Sequence, residues 1–277
     1  MDLNTITEVE HPLSESDLPR DWNPSTAYLA GGTWVFSEPQ TEITRLIDLG
    51  RLGWDELAVD DSGLVVGATC PILALENFDP PAHWQAAPLI RTCARALLAS
   101  FKVKRVATVG GNICRALPAA GMVTLAVALE GKVLLLGRDG TERTISVLDL
   151  IVGEGVASLQ PGEVLRKLHL PEAALRKRFG VRRAETVPEG RSMVFLVGTL
   201  DDEASFTLTV TASTTRPHRF NFGRIPTAPE LAAALEEGIP DSDYVRDTYR
   251  TAFYRRHMTA LFAGEILEEL RNDPSAS

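Results

Sequence analysis

The sequence predicts a chain of mixed helices and strands organised around two glycine loops. Three observations carry this. The β-forming runs at 57–59 and 64–66 flank the turn-rich tetrad 60–63, which is the pattern of a hairpin. Apolar Leu89, Ile90, Cys93, Ala94 and Leu97 recur at helical spacing. Glycine pairs stand in Ala30-Gly31-Gly32-Thr33 and in the run 108–114, TVGGNIC, each after an apolar or β-branched stretch.

The elements follow in order. Residues 1–25 are polar, and Pro12, Pro19 and Pro24 limit regular structure there. Residues 28–30 read as a short strand entering the first glycine pair, with 34–36 as more strand or a short helix. Residues 46–49 read as a strand, 72–77 as a short helix and 88–98 as a longer one. Residues 101–105 read as a polar linker. Residues 122–129, rich in Ala and Leu, read as a buried helix. A strand at 132–136, a turn at 137–140 and a partner strand at 141–147 precede a short helix at 146–149. A strand at 162–170 ends at Pro171, and a boundary is expected between 170 and 179. Strands are expected at 192–200 and 204–213. The second alternates from Phe206, so one face should be wetter. Thr227 followed by Pro229 and Glu230 is helix-start chemistry. Residues 242–270 read as one or two helices with an apolar stripe of Phe253, His257, Leu261 and Ile266.

Glycine lets backbone N–H groups approach an anion without a Cβ in the way, and consecutive N–H groups curled into a nest form an anion-binding concavity. Two such loops point to a dinucleotide whose pyrophosphate is neutralised from both sides. Neither loop is a nucleoside-triphosphate loop, because no Gly-Lys-Ser or Gly-Lys-Thr follows, and neither has the GxGxxG pattern.

Composition sets outer bounds. The chain has 277 residues, 44% hydrophobic and 23% charged, as expected of a globular protein. A formal net charge of −9 argues against nucleic acid as a partner. Cys70, Cys93 and Cys114 are too few and too far apart to build a metal cluster, and they suggest a reducing compartment. No run has membrane-spanning length, and the start lacks a signal-peptide pattern, so a cytoplasmic protein without membrane insertion is expected.

The segments 29–36 (LAGGTWVF) and 106–114 (VATVGGNIC), the latter followed by PAAGM at 118–122, resemble the FAD-binding medium subunit of molybdenum hydroxylases of the carbon monoxide dehydrogenase and xanthine dehydrogenase type. LIDL at 46–49, LVVGAT at 64–69 and TAFYRRHM at 251–258 extend the likeness over nearly the whole chain. The resemblance implies an α+β fold: a two-subdomain FAD-binding fold of the PCMH/vanillyl-alcohol-oxidase type plus a small C-terminal α+β domain. The implied division is 1–55, 56–174 and 175–272, with 273–277 a disordered tail. It implies noncovalent FAD here, a large molybdopterin-binding subunit, and a small subunit with [2Fe–2S] clusters. The alternatives are a free-standing FAD-dependent reductase or oxidase, and a degenerate, flavin-poor assembly subunit.

The site residues expected on this basis are Ala30, Gly31, Gly32, Thr33 and Trp34 in the first loop, and Thr108, Gly110, Gly111, Asn112 and Cys114 in the second. Ala120 and Arg182 complete the set. Gly111 is expected at positive φ. Arg182, or its neighbour Arg183, is expected to approach the flavin and stabilise negative charge on it. No catalytic or metal-ligating residue is expected. The family commonly has Asp where this chain has Gly121. The resemblance therefore implies a lost ribose contact, and restoring the acid should tighten FAD.

Overall fold

Residues 3–187 and 190–272 are described in a computed structural model; the expected tail at 273–277 lies outside them. The first sheet comes from the N-terminal stretch. It contains a strand that the prolines had argued against, β1 (Glu8–Glu10), beside β2 (Thr26–Leu29) and β3 (Arg45–Asp48). The order is β1-β3-β2, all parallel, with Leu46 and Ile47 of the central strand buried on its two faces. The chain leaves β2 through the first glycine pair. Residues 34–36 are neither strand nor helix but part of a turn in which the Phe36 N–H donates to the Gly32 carbonyl at 2.9 Å.

The expected hairpin is β4 (Leu57–Asp60) and β5 (Gly63–Gly67). Five helices follow: α1 (Ile72–Glu76), α2 (Pro88–Arg95), α3 (Phe101–Lys104), α4 (Val109–Arg115) and α5 (Gly121–Ala128). The α3 helix replaces the expected polar linker. Ser100 caps it by accepting from the Val103 N–H, and Lys104 pairs with Glu76 at 3.1 Å. The α5 helix is buried along its whole length, as its Ala, Leu and Val content requires. Beyond it run β6 (Lys132–Leu136), β7 (Glu142–Ser146), α6 (Val147–Leu150), β8 (Ile151–Gly153), β9 (Val156–Ala157), β10 (Val164–Pro171) and α7 (Glu172–Leu175). Together these strands make a five-stranded antiparallel sheet of order β4-β5-β10-β6-β7, with β8 and β9 a separate pair.

The last sheet is β11 (Arg178–Glu185), β12 (Ser192–Leu200), β13 (Phe206–Thr211) and β14 (His218–Phe222), antiparallel in that order. No face of β13 is wet. Phe206, Leu208 and Val210 enter the C-terminal core, and Thr207, Thr209 and Thr211 are equally buried on the other face. Alternation misled here because the threonine face is covered by α5: the Thr124 and Thr211 hydroxyls meet at 2.8 Å. Two helices complete the chain, α8 (Ala228–Gly238), opened by a Thr227–Glu230 capping box, and α9 (Ala252–Asn272). The expected stripe on α9 is wrong. Phe253 is 81% exposed, and Leu261 and His257 also face water. The buried stripe is Arg255, Thr259, Ala263, Ile266, Leu267 and Leu270. Arg255 is admitted because it donates to the Met193 and Ala212 carbonyls and pairs with Asp247 at 2.8 Å. Among the described residues no helix is long and apolar enough to cross a membrane.

Candidate functional site: a glycine-walled cleft

A cleft of about 670 Å³ opens between the first glycine turn, the 96–99 segment, α4 and the start of β10. That volume lies within the range of cofactor sites. Eleven of the twelve expected site residues line it: Ala30, Gly31, Gly32, Thr33, Trp34, Thr108, Gly110, Gly111, Asn112, Cys114 and Ala120. Arg182 does not. It stands in β11 and pairs with Glu265 at 2.7 Å and Glu269 at 2.6 Å, both on α9. Arg183 bonds Glu185 and the Gly190 carbonyl. Arg182 ties the C-terminal sheet to α9, because two carboxylates one helical turn apart on that helix capture its guanidinium.

The first loop keeps the expected character. Gly32 has φ +69°, a left-handed conformation that glycine adopts without strain. Gly31 lies against the chain entering the second loop, with no room for a Cβ beside the Val106 carbonyl. From Gly31 to Val35, no backbone N–H donates to an acceptor among the described residues, and all five residues face the cleft.

The second loop differs from expectation. Its glycines are not at positive φ but in the first turn of α4. Its N–H groups are spent internally: Val109 on Cys70 O, Gly110 on Ala68 O, Gly111 on the Thr108 hydroxyl, and Asn112 on Thr108 O, at 2.9–3.1 Å. Thr108 is thus the helix N-cap. The glycines serve close approach instead. A Cβ on Gly110 would stand 2.7 Å from the Ala68 carbonyl oxygen, and Gly111 bares the cleft floor. Asn112 accepts from the Met122 N–H at 3.1 Å, pinning α4 to the start of α5 and leaving its amide NH₂ as a donor.

Gly121 is buried at the start of α5, and a Cβ there would overlap the Cys93 carbonyl. The residue is small because α5 docks on α2 at this point, so there is no room for the family's acid. Burial pushes the Cys114 thiol up to about 12, so it lines the cleft as a protonated, unreactive group.

Sequence reasoning missed several lining residues. Leu97, Leu98 and Ala99 form one wall, with Leu98 64% exposed in a gap between helices. Arg115 stacks over the Trp34 ring at 3.9 Å. Glu163 is held by Arg143 through two bonds of 2.7 Å. Burial alone would raise the Glu163 pKa, but the bonds from Arg143 and the Gln160 N–H outweigh it and hold the carboxyl below its usual range. A depressed carboxylate contributes stability that is complete above its unfolded value, about pH 4.3, and lost as pH falls through the lower native value. Glu163→Gln should therefore flatten this part of the acid limb in denaturant-measured stability. An unchanged acid limb would refute it.

Residues 8–173 match the family described as FAD binding domain in molybdopterin dehydrogenase. The chain belongs to that family. Its relatives include the xanthine dehydrogenase FAD-binding subunit of Escherichia coli O157:H7, 29% identical over 156 residues, or 54% of this chain and 51% of that one. Another is the 6-hydroxypseudooxynicotine dehydrogenase complex subunit alpha of Paenarthrobacter nicotinovorans, 26% identical over 62% of this chain and 57% of that one. These matches span about half the length of the relatives. In fold, the chain resembles quinoline 2-oxidoreductase from Pseudomonas putida 86, with TM-score 0.80, 19% identity and coverage of 100% and 99%. It also resembles reconstituted CO dehydrogenase from Oligotropha carboxidovorans, with TM-score 0.79, 20% identity and coverage of 97% and 98%. The α+β fold of this family is therefore the fold of the whole chain. FAD is the family's cofactor, and the cleft fits it: the first turn offers unspent N–H donors, and Gly111 leaves open the space a Cβ would fill.

Proposed function

We propose that this chain is the electron-transfer flavoprotein of a molybdopterin-dependent dehydrogenase. It would stand between a small [2Fe–2S] subunit and an external acceptor, while a large molybdopterin-binding subunit oxidises the substrate. The observation that carries the reading is the row of unspent N–H groups at 31–35, facing a cleft of cofactor size in a chain of this family. When bound, FAD supplies the redox chemistry; the protein positions it and sets its electrostatics. The 31–35 N–H groups and the Thr33 hydroxyl bind the pyrophosphate oxygens. Gly111 lets the ligand approach the α4 backbone, and the Asn112 amide donates to a ribityl hydroxyl or a phosphate. The apolar wall at Leu97 and Leu98 excludes water. The division into 1–55, 56–174 and 175–272 belongs to this reading and is supported by the separate sheets. A cytoplasmic setting is supported by the three free thiols.

The flavin-poor alternative was motivated by Gly121. The α2–α5 packing accounts for that glycine without supplying the missing carboxylate, so FAD content decides between the two readings. Expression with its native gene neighbours tests the main reading. The chain should co-purify with a molybdopterin protein and an iron–sulfur protein, release FAD on acid precipitation, and show flavin bleaching by substrate only in the complex. Turnover of an organic substrate by the isolated chain would support the free-standing reductase instead.

Gly111→Ala separates binding from folding. The position is helical, where alanine is favoured over glycine by up to about 1 kcal/mol, and the new methyl meets only the Thr108 hydroxyl, at 2.8 Å. The fold should survive, with a thermal midpoint within a few degrees of wild type. FAD affinity should fall about tenfold, ~1.4 kcal/mol, as the methyl occupies the floor. Unchanged affinity by flavin fluorescence titration would remove Gly111 from the site.

A further inference from the structure

We propose that Arg115 is the counter-ion of the bound dinucleotide's pyrophosphate, a role that rests on the FAD reading above and adds a residue to it. Three lining side chains are charged at neutral pH: Arg115, Glu163 and Arg191. Arg143 already neutralises Glu163. The cleft is therefore positive inside a chain whose formal charge is −9, and a local field of that sign favours an anion.

Arg115 is the cation built for the task. Its guanidinium lies over the Trp34 ring at 3.9 Å, only a few residues along from Gly31 and its unspent N–H donors. On another side it runs past Gly155, where a Cβ would stand 3.1 Å from Nη1. The backbone around it is pinned: Ala116 ends α4 with φ +53°, and the Gly155 N–H donates to the Ala116 carbonyl at 2.9 Å. Yet Arg115 has no hydrogen bond or ion pair among the described residues, and its Nε is buried without a partner. An unpartnered buried donor is costly unless something else satisfies it. Stacking occupies the face of the guanidinium and leaves Nη1 and Nη2, which have no hydrogen-bond partner among the described residues, free for paired bonds to phosphate oxygens. Trp34 then acts as a platform for the cation.

The test is FAD titration of apoprotein by flavin fluorescence, at low and at high ionic strength, for wild type, Arg115→Gln and Arg115→Lys. Arg115→Gln should weaken FAD about tenfold or more at low ionic strength and reduce the salt dependence seen in wild type. Arg115→Lys, which keeps the charge but not the fork, should retain the salt dependence and bind between the two. Circular dichroism should be unchanged. Equal losses for Gln and Lys with salt dependence intact would make Arg115 a structural staple and overturn the proposal, as would loss of the fold or undiminished FAD affinity in Arg115→Gln. Wild type that takes up no FAD at either ionic strength would instead defeat the FAD reading, and this inference with it.

Discussion

Gly31→Val should leave the protein without bound flavin and lower its thermal stability. Gly31 packs directly on the 106–107 backbone, with Ala107 Cα only 3.2 Å from where a Cβ would stand and the Val106 carbonyl oxygen closer still. Backbone cannot rotate away as a side chain can, so the first turn must lift off the chain entering α4. Overpacking of this kind costs about 1–3 kcal/mol or more. The larger effect falls on the ligand. The turn carries the unspent N–H groups, and displacing it by the width of a side chain moves all of them together. Affinity should drop by about a thousandfold, ~4 kcal/mol, read as the flavin-to-protein ratio after gel filtration. Stoichiometric FAD in purified Gly31→Val would sink the assignment of this turn to the pyrophosphate.

Gly121→Asp should destabilise the chain and fail to improve FAD binding, the reverse of what the family pattern suggests. The Cβ would overlap the Cys93 carbonyl, and the carboxylate would enter a position buried between α2 and α5. An uncompensated charge at a buried position costs several kcal/mol; with the steric term, a loss of about 3–5 kcal/mol is expected. At about 2–4 °C per kcal/mol, the thermal midpoint should fall by roughly 10 °C. Tighter FAD binding at an unchanged midpoint would show that α5 can shift and recreate the acid's usual geometry.

The two predictions mark the border between what is written locally and what is not. The glycine pairs, the hairpin at 57–67, the buried helix at α5 and the Thr227 cap are local signals: a turn needs glycine, a helix start needs a hydroxyl, and an all-apolar helix has to be buried. Eleven of the cleft residues were legible through the resemblance, which rests on glycines whose backbone must come close to something. Tertiary structure decided what that something is. Thr108 caps α4 and takes the Gly111 N–H, so the second loop offers space where donors were expected. Arg182 turns to two carboxylates 83 and 87 residues away on α9. The threonine face of β13 is dry because α5 lies on it, and the stripe on α9 rotates to place Arg255 over open carbonyls of Met193 and Ala212. Arg115 acquires its stack only when residues 34 and 115 are brought together. Periodicity and turn chemistry act over a few residues and can be read directly. Which partner satisfies a buried donor, or covers a face, depends on segments distant in the chain, and only the folded arrangement selects among them.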